Sequence, residues 1–227
     1  MNQKQKTRLI IFDLDGTLLN TIDDLAMSTN HALRQYGYPE HDLPAYRYFV
    51  GNGITKLIER ALPEEARKEN TITQLRTAFV TYYQKHKTDL THPYPGIPEL
   101  LHTLHRQGIR LAVASNKYQQ GTVELIRHFF GNNLFSIVLG QRENVPVKPD
   151  PAIIEDILTF TAIPKSETLY VGDSGVDMQT ARNSALTSIG VTWGFRPRRE
   201  LEVNGANFIA DSPEEITVWI NTRTSTP

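Results

Sequence analysis

Short apolar runs alternate along most of the chain with stretches in which apolar residues recur every three or four positions. The short runs predict buried strands at residues 8–13, 109–114, 136–139, 168–171, 187–191 and 208–210. The helical spacing predicts helices at residues 96–107, 121–130, 151–161 and 176–185. Because strand and helix alternate, we expect an α/β fold with a doubly wound parallel sheet.

Residues 20–91 interrupt this alternation. Apolar residues recur there at helical spacing, as in 22–33, 54–62 and 72–82, and no stretch has the pattern of a strand. We therefore expect an all-helical cap domain, residues 20–91, inserted after strand one into a core domain of residues 1–19 and 92–227. A cap at this point would overhang the carboxyl ends of the strands, where open parallel sheets bind ligands.

The composition excludes several kinds of protein. The 227 residues include 24 Lys plus Arg, 25 Asp plus Glu and no Cys, which excludes disulfides, thiolate metal sites and cysteine nucleophiles. The balanced charge gives no reason to bind nucleic acid or an anionic membrane, and no apolar run is long enough to span a bilayer. The first residues have no export signal, so we expect a cytoplasmic protein. We expect it to be a monomer or a homodimer.

Acidic side chains follow two of the predicted strands. Asp13 and Asp15 end the first strand and, being two residues apart in an extended chain, share a side. Two carboxylates about 5 Å apart repel by roughly 3 kcal/mol, so stability alone does not favour their pairing. Asp173 and Asp177 follow the strand at 168–171, one helical turn apart. Together they predict an all-oxygen cluster of the kind that binds Mg²⁺.

Hydrogen-bond donors follow the other strand ends. Ser115 and Asn116 come after the strand at 109–114 and are expected to open a helix, which would make an anion site. Lys148 precedes Pro149 and is expected to lie at a loop beside that site. Lys117 we expect at the surface.

These motifs together resemble the haloacid dehalogenase superfamily of phosphatases. The four signatures occur in order as Asp13-x-Asp15-Gly16-Thr17, Ser115-Asn116, Lys148-Pro149 and Gly172-Asp173-Ser174-x-x-Asp177. The resemblance covers the whole chain and implies a Rossmann-like core with a helical cap. The namesake dehalogenases replace the second acid of the first motif, so Asp15 indicates phosphoryl transfer and not carbon–halogen cleavage.

The resemblance also implies roles for these residues. Asp13 would be the nucleophile that forms an aspartyl-phosphate, and Asp15 the general acid and base. The magnesium ligands would be Asp13, the Asp15 carbonyl and Asp173, with Asp177 in support. The phosphate-binding groups would be those of Gly16, Thr17, Ser115, Asn116 and Lys148.

The predicted cap suggests a substrate. Its segment Phe49-Val50-Gly51-Asn52-Gly53 is similar to the cap of phosphoglycolate phosphatases. The turn at Gly51, Asn52 and Gly53 would let the backbone and the Asn52 amide approach a small carboxylate. We therefore expect a Mg²⁺-dependent phosphatase of a small phosphorylated metabolite, 2-phosphoglycolate.

Three alternatives stay open at this point. A β-phosphoglucomutase-like phosphotransferase would use the same core and would depend on a bisphosphate activator. An inorganic pyrophosphatase would release two phosphates per turnover. A non-catalytic binding module would have a degenerate site, whereas all four signatures are intact here.

Overall fold

The computed structural model describes residues 6–224, so the ends of the predicted core domain, residues 1–5 and 225–227, lie outside the described residues. The strands are β1 (Leu9–Phe12), β2 (Leu19–Asn20), β3 (His92–Pro93), β4 (Arg110–Tyr118), β5 (Ile137–Gln141), β6 (Thr168–Gly172), β7 (Thr187–Val191) and β8 (Phe208–Ala210). The helices are α1 (Ile22–Gln35), α2 (Leu43–Phe49), α3 (Gly53–Ala61), α4 (Glu69–His86), α5 (Ile97–Arg106), α6 (Gln119–Phe130), α7 (Ala152–Thr161), α8 (Gly175–Asn183), α9 (Arg198–Val203) and α10 (Pro213–Thr224).

A six-stranded sheet in the order β5-β4-β1-β6-β7-β8 forms the centre of the molecule, and every neighbouring pair of strands is parallel. Phe12 at the end of β1 lies opposite Val113 of β4 and Val171 of β6. The carboxyl ends of these three strands therefore meet at one edge. The predicted α/β fold with a doubly wound parallel sheet is confirmed.

The alternating side chains of β1 supply both faces of the sheet. Ile10 and Phe12 pack in one apolar cluster with α5 and α10, and Leu9 and Ile11 pack in a second cluster with α7. All four side chains are fully buried. A strand buried on both faces is expected to be apolar at every position, which explains the unbroken run that β1 shows in the sequence.

Helices α1 to α4, here called the helical segment, pack around an apolar cluster of their own that includes Leu25, Leu57 and Phe79. The segment begins after β2 and ends before β3, and these two short strands pair antiparallel at the two crossings. This pairing was not predicted from the sequence. The division into a core domain and a cap domain stays a prediction. None of the helices in residues 6–224 has the length and apolar character needed to cross a membrane.

The end of β4 differs from the prediction. The apolar run predicts that this strand ends at Ala114 and that Ser115 and Asn116 open a helix, whereas β4 continues to Tyr118 and α6 begins at Gln119. The pairing with β5 is irregular between Ala114 and Tyr118. An irregularity of this kind redirects side chains relative to the pleat of the strand, and it occurs here at the carboxyl edge of the sheet.

Asp24 ties the first helix of the segment to the point where the segment ends. Its carboxylate is 1% exposed and accepts hydrogen bonds from the backbone N–H of Leu90, at 3.0 and 3.2 Å, and of Thr91, at 2.8 Å. Loss of the carboxylate would leave these backbone donors without their partner.

We expect Asp24→Ala to lower the free energy of unfolding by about 2–3 kcal/mol, because charge-assisted hydrogen bonds to largely buried donors are lost. Asp23→Ala is the matched control, since Asp23 is also in the first turn of α1 and gains the same interaction with the helix dipole. Urea unfolding followed by circular dichroism measures both. Equal losses in the two variants would contradict the role given to Asp24.

Candidate active site

Three buried carboxylates meet at the carboxyl edge of the sheet. Asp13 follows β1, Asp173 follows β6 and Asp177 lies in the first turn of α8. One oxygen from each lies within 4.8 Å of the others, and the three residues are 8%, 2% and 1% exposed. The structure thus brings together acids from two parts of the chain, at the edge where β1 and β6 end.

Lys148 supplies positive charge to this cluster. Its Nζ lies 2.9 Å from Oδ1 of Asp13 and 2.8 Å from Oδ1 of Asp177, and it also donates to the Tyr170 hydroxyl at 2.9 Å and the Ala114 carbonyl at 3.0 Å. Burial by itself lowers the pKa of Lys148, but the charges of Asp13 and Asp177 outweigh it and hold that pKa well above its ordinary value. Lys148 is therefore a cation.

One ammonium does not neutralise three carboxylates. Burial, with the charge of Asp177 adding to it and Lys148 opposing it, raises the pKa of Asp13 to about 7. Burial and the charges of Asp177 and Asp13 raise the pKa of Asp173 well above its ordinary value. The cluster therefore favours an additional positive charge, either a proton or a cation.

The donor set fits a hard divalent cation such as Mg²⁺. It consists of closely spaced carboxylate oxygens, with no nitrogen or sulfur ligand in the group of side chains that the structure brings together in residues 6–224. Asp13 and Asp173 are the carboxylates best placed to bind such a cation. The oxygens of Asp177 already accept hydrogen bonds from Lys148, Tyr170 and Ser174.

Asp173 is held by the loops that follow β1 and β7. Its Oδ2 accepts the backbone N–H of Phe195 at 2.7 Å, and its Oδ1 accepts the Thr17 hydroxyl at 3.4 Å. Gly16 has a φ of +88°, and a Cβ there would overlap the Asp173 carboxylate. Only glycine fits this position, both for its backbone conformation and for the space available.

Asn116 positions Lys148 through the backbone. Its Oδ1 accepts from the N–H of Lys148 at 2.9 Å, and its Nδ2 donates to the carbonyl of the same residue at 3.1 Å. The Nδ2 also donates to the carbonyl of Gly51 in the helical segment, at 3.0 Å. Ser115 is 2% exposed and accepts the N–H of Lys117 at 3.2 Å.

Asp15 lies beside the cluster but pairs with a different lysine. Lys117 Nζ is 2.9 and 3.0 Å from the two carboxylate oxygens of Asp15, and the Thr21 hydroxyl donates to one of them at 2.8 Å. The expectation that Lys117 lies at the surface was wrong, since it is 6% exposed. Lys117 lies in the continuation of β4, at an irregularity that no pattern in the sequence predicts.

A cavity with about 460 Å³ of empty volume, including its mouth, separates the helical segment from this edge of the sheet. Its walls include Asp13, Asp15, Ser115, Asn116 and Lys117 from the sheet side and Gly51, Gly53, Phe79 and Tyr83 from the helical segment. Asn52 is not among the lining residues, and its Oδ1 accepts from Arg60 Nη2 at 2.7 Å. Of the three predicted cap residues, the two glycines reach the cavity.

Three tyrosines belong to the site although the sequence did not predict a functional role for them. Tyr170 lies inside an apolar strand and donates to Asp177 Oδ1 at 2.9 Å, while Tyr83 and Tyr118 line the cavity. A tyrosine in a fully buried strand is a signal for Tyr170, because its hydroxyl needs a polar partner there. For Tyr83 the sequence indicates only a position on the apolar face of α4.

Comparisons with known proteins agree on one family. The sequence pattern of haloacid dehalogenase-like hydrolases matches residues 10–191. The chain is 33% identical to the phosphoglycolate phosphatase of Vibrio parahaemolyticus, over 94% of this chain and 96% of that protein. It is 35% identical to that of Mannheimia succiniciproducens, over 83% and 87%. The crystal structure of a predicted phosphoglycolate phosphatase from Haemophilus somnus matches with a TM-score of 0.87 and 29% identity, over 94% and 97%.

The raised pKa of Asp13 predicts an unusual pH dependence for the metal-free protein. An unfolded Asp has a pKa near 3.9, so between about pH 4 and pH 7 the folded state holds a proton that the unfolded state has lost. This contribution to the free energy of unfolding is fully present below the pKa that Asp13 has in the unfolded state. It is lost as the pH rises through the pKa that Asp13 has in the folded state. We expect the free energy of unfolding in EDTA to fall by up to about 1 kcal/mol per pH unit across this window, relative to Asp13→Asn.

Urea unfolding of both proteins at pH 5, 6, 7 and 8 measures the difference. Carboxylates outside the cluster contribute equally to the two proteins, so the difference measures Asp13 together with its effect on the pKa of Asp173. If the free energies of unfolding of the two proteins change in parallel between pH 5 and pH 8, Asp13 is ionised over this whole range.

Proposed function

The chain belongs to the haloacid dehalogenase-like hydrolases, in which it is a phosphatase that cleaves phosphoric monoesters, and we propose that it hydrolyses 2-phosphoglycolate with Mg²⁺ through an aspartyl-phosphate. The observation that carries the proposal is that Asp13, which meets Asp173 and Lys148, lines a cavity that Asp15 also lines. A nucleophile, positive charge and a second carboxyl group are what phosphoryl transfer requires at one place.

In the first step an oxygen of Asp13 attacks phosphorus and the bond from phosphorus to the ester oxygen breaks. Asp15, which lines the same cavity, gives its proton to the departing alkoxide. The products are the free alcohol and a phosphoryl group on Asp13. Lys117 and Thr21 hold the Asp15 carboxyl group in position for this transfer.

In the second step a water molecule attacks the phosphoryl group on Asp13. Asp15 is now a carboxylate and takes a proton from that water, and the bond between phosphorus and Asp13 breaks. Inorganic phosphate leaves, and both acids return to their starting states. The same residue serves as acid and then as base because the two steps move a proton in opposite directions.

Donors around Asp13 bind the phosphoryl oxygens. Lys148 contacts Asp13 directly, and Ser115 lines the cavity beside it. Gly16, Thr17 and Asn116 belong to the predicted set, but the backbone N–H groups of Gly16 and Thr17 already donate to the carbonyls of Leu19 and Leu14, which leaves Lys148 and Ser115 as the donors. Such fixed donors stabilise the charge of the transition state because they need no reorganisation when it forms.

Asp13 and Asp173 are the proposed direct ligands of Mg²⁺, with the main-chain carbonyl of Asp15 as a third. When bound, the ion offsets the repulsion between nucleophile and phosphoryl oxygens. Asp177 acts through Lys148, which it holds at 2.8 Å, and through its capping of α8 with Ser174. Its hydrogen bonds favour this supporting role.

The helical segment and the relatives support a small substrate. Gly51 and Gly53 bring backbone to the cavity wall, and Asn52 is held by Arg60, which fixes the turn that carries both glycines. The relatives with more than 30% identity over most of the chain carry the name phosphoglycolate phosphatase. A cavity whose walls include a buried lysine suits an anionic ester.

A panel of phosphate esters assayed with Mg²⁺ tests the function. We expect 2-phosphoglycolate to give the highest kcat/KM, and Asp13→Asn to reduce kcat for every ester by at least about a thousandfold, because the nucleophile is lost. The control is the unfolding midpoint of the variant, which should remain cooperative. Dependence on a sugar bisphosphate would indicate a mutase, and release of two phosphates from pyrophosphate a pyrophosphatase.

Removal of metal tests the proposed ligands. We expect EDTA to stop turnover and Mg²⁺ to restore it, and Asp173→Asn to raise the Mg²⁺ concentration for half-maximal rate by about tenfold or more, because one ligand charge is lost. Asp211→Asn is the matched control, since Asp211 is an exposed acid paired with Arg198. Full activity in chelator would contradict the metal site.

A further inference from the structure

The cavity carries polar side chains that are not assigned to the phosphoryl group in the proposed reaction. Lys117, Tyr83 and Tyr118 all line it. The phosphoryl group belongs beside Asp13 and Lys148, so the remaining space must take the rest of the substrate. The chemistry of these three side chains therefore bears on what the leaving group is.

Lys117 is a buried ammonium with one ion-pair partner among the described residues. Both contacts go to the Asp15 carboxylate, at 2.9 and 3.0 Å, and the Nζ lies 5.0 Å from the centroid of the Tyr83 ring. A lysine is rarely buried without a reason, because desolvation of its charge is costly. An ammonium has three donors and can hold a second anion besides Asp15.

The hydroxyls of Tyr83 and Tyr118 are buried and have no hydrogen-bond partner within residues 6–224. Tyr83 is fully buried in α4, and Tyr118 ends β4 next to Lys117. Burial is the main cause that raises the pKa of each, so both stay neutral O–H donors. Buried hydroxyls are nearly always paired in folded proteins, so two unpaired ones on residues that line one cavity favour a ligand that accepts from them.

We propose that Lys117, with the hydroxyls of Tyr83 and Tyr118, is a subsite for a carboxylate on the leaving group. All three are donors, and a carboxylate offers about four lone pairs and no proton. A neutral alcohol end would bring a donor of its own and would gain less from the ammonium. The inference rests on the proposed function, since it assigns the residues that would select 2-phosphoglycolate over neutral esters.

The assay compares 2-phosphoglycolate with 2-hydroxyethyl phosphate, in which CH₂OH replaces the carboxylate. Lys117→Met removes the charge and keeps most of the side-chain volume. Because Lys117 also holds Asp15, both esters are expected to turn over more slowly, and the measured quantity is the ratio of their kcat/KM values. We expect this ratio to fall by about 10- to 100-fold, mainly through KM for 2-phosphoglycolate.

Two further variants complete the design. Tyr118→Phe deletes only an unpartnered oxygen, so it should fold normally, and we expect it to lower the ratio by about threefold or more. Lys56→Met is the matched control, because Lys56 is an exposed lysine of α3 paired with Glu59, and its ratio should equal that of the wild type. All assays use the full chain with Mg²⁺.

The outcomes separate this inference from the proposed function. A wild type that prefers 2-phosphoglycolate while Lys117→Met and Tyr118→Phe keep that preference would overturn the subsite and leave the function standing. A wild type that hydrolyses the two esters equally well would overturn both. If Lys117→Met fails to fold, the ratio measured for Tyr118→Phe decides.

Discussion

Compensation of buried negative charge is the constraint on which the rest of the structure depends. Asp13, Asp173 and Asp177 bring oxygens within 4.8 Å of one another in a region from which water is largely excluded. Each pair at such a distance repels by roughly 3 kcal/mol at an effective dielectric near 20. Lys148 contacts Asp13 and Asp177, whereas Asp173 accepts a backbone N–H and a hydroxyl. The charge that is left is the reason why we propose a cation site at this edge.

The compensation in turn depends on Asn116. Its amide binds the N–H and the carbonyl of Lys148, so the lysine backbone is fixed relative to β4, and its third hydrogen bond reaches Gly51 of the helical segment. One side chain therefore links the cation of the acid cluster to the wall of the cavity. An Asn is suited to this because it both donates and accepts, which neither an Asp nor a Lys does.

Much of this arrangement could be predicted from the sequence. Asp13 and Asp173 end apolar runs, and parallel strands end at one edge, so pattern and topology together bring them close. Lys117 could not be placed in this way. Its partner Asp15 is 102 residues away, and the apolar run before it stops at Ala114 while the strand itself does not. Burial of a polar stretch at a strand irregularity depends on tertiary contacts, which no local pattern records.

The proposed carboxylate subsite takes its residues from both walls of the cavity. Tyr83 comes from the helical segment and Lys117 from β4, so the two face one ligand only when that segment covers the edge of the sheet. Two adjacent residues after β7 contact both walls of the cavity region. The backbone N–H of Phe195 donates to Asp173, and Arg196 Nη2 donates to the Val50 carbonyl at 2.9 Å. A net hydrogen bond contributes only about 1 kcal/mol, so these links alone stabilise the position of the helical segment only weakly. A ligand that spans the cavity would add contacts to both walls, and binding would then stabilise the covered state in which water is excluded from the reacting group.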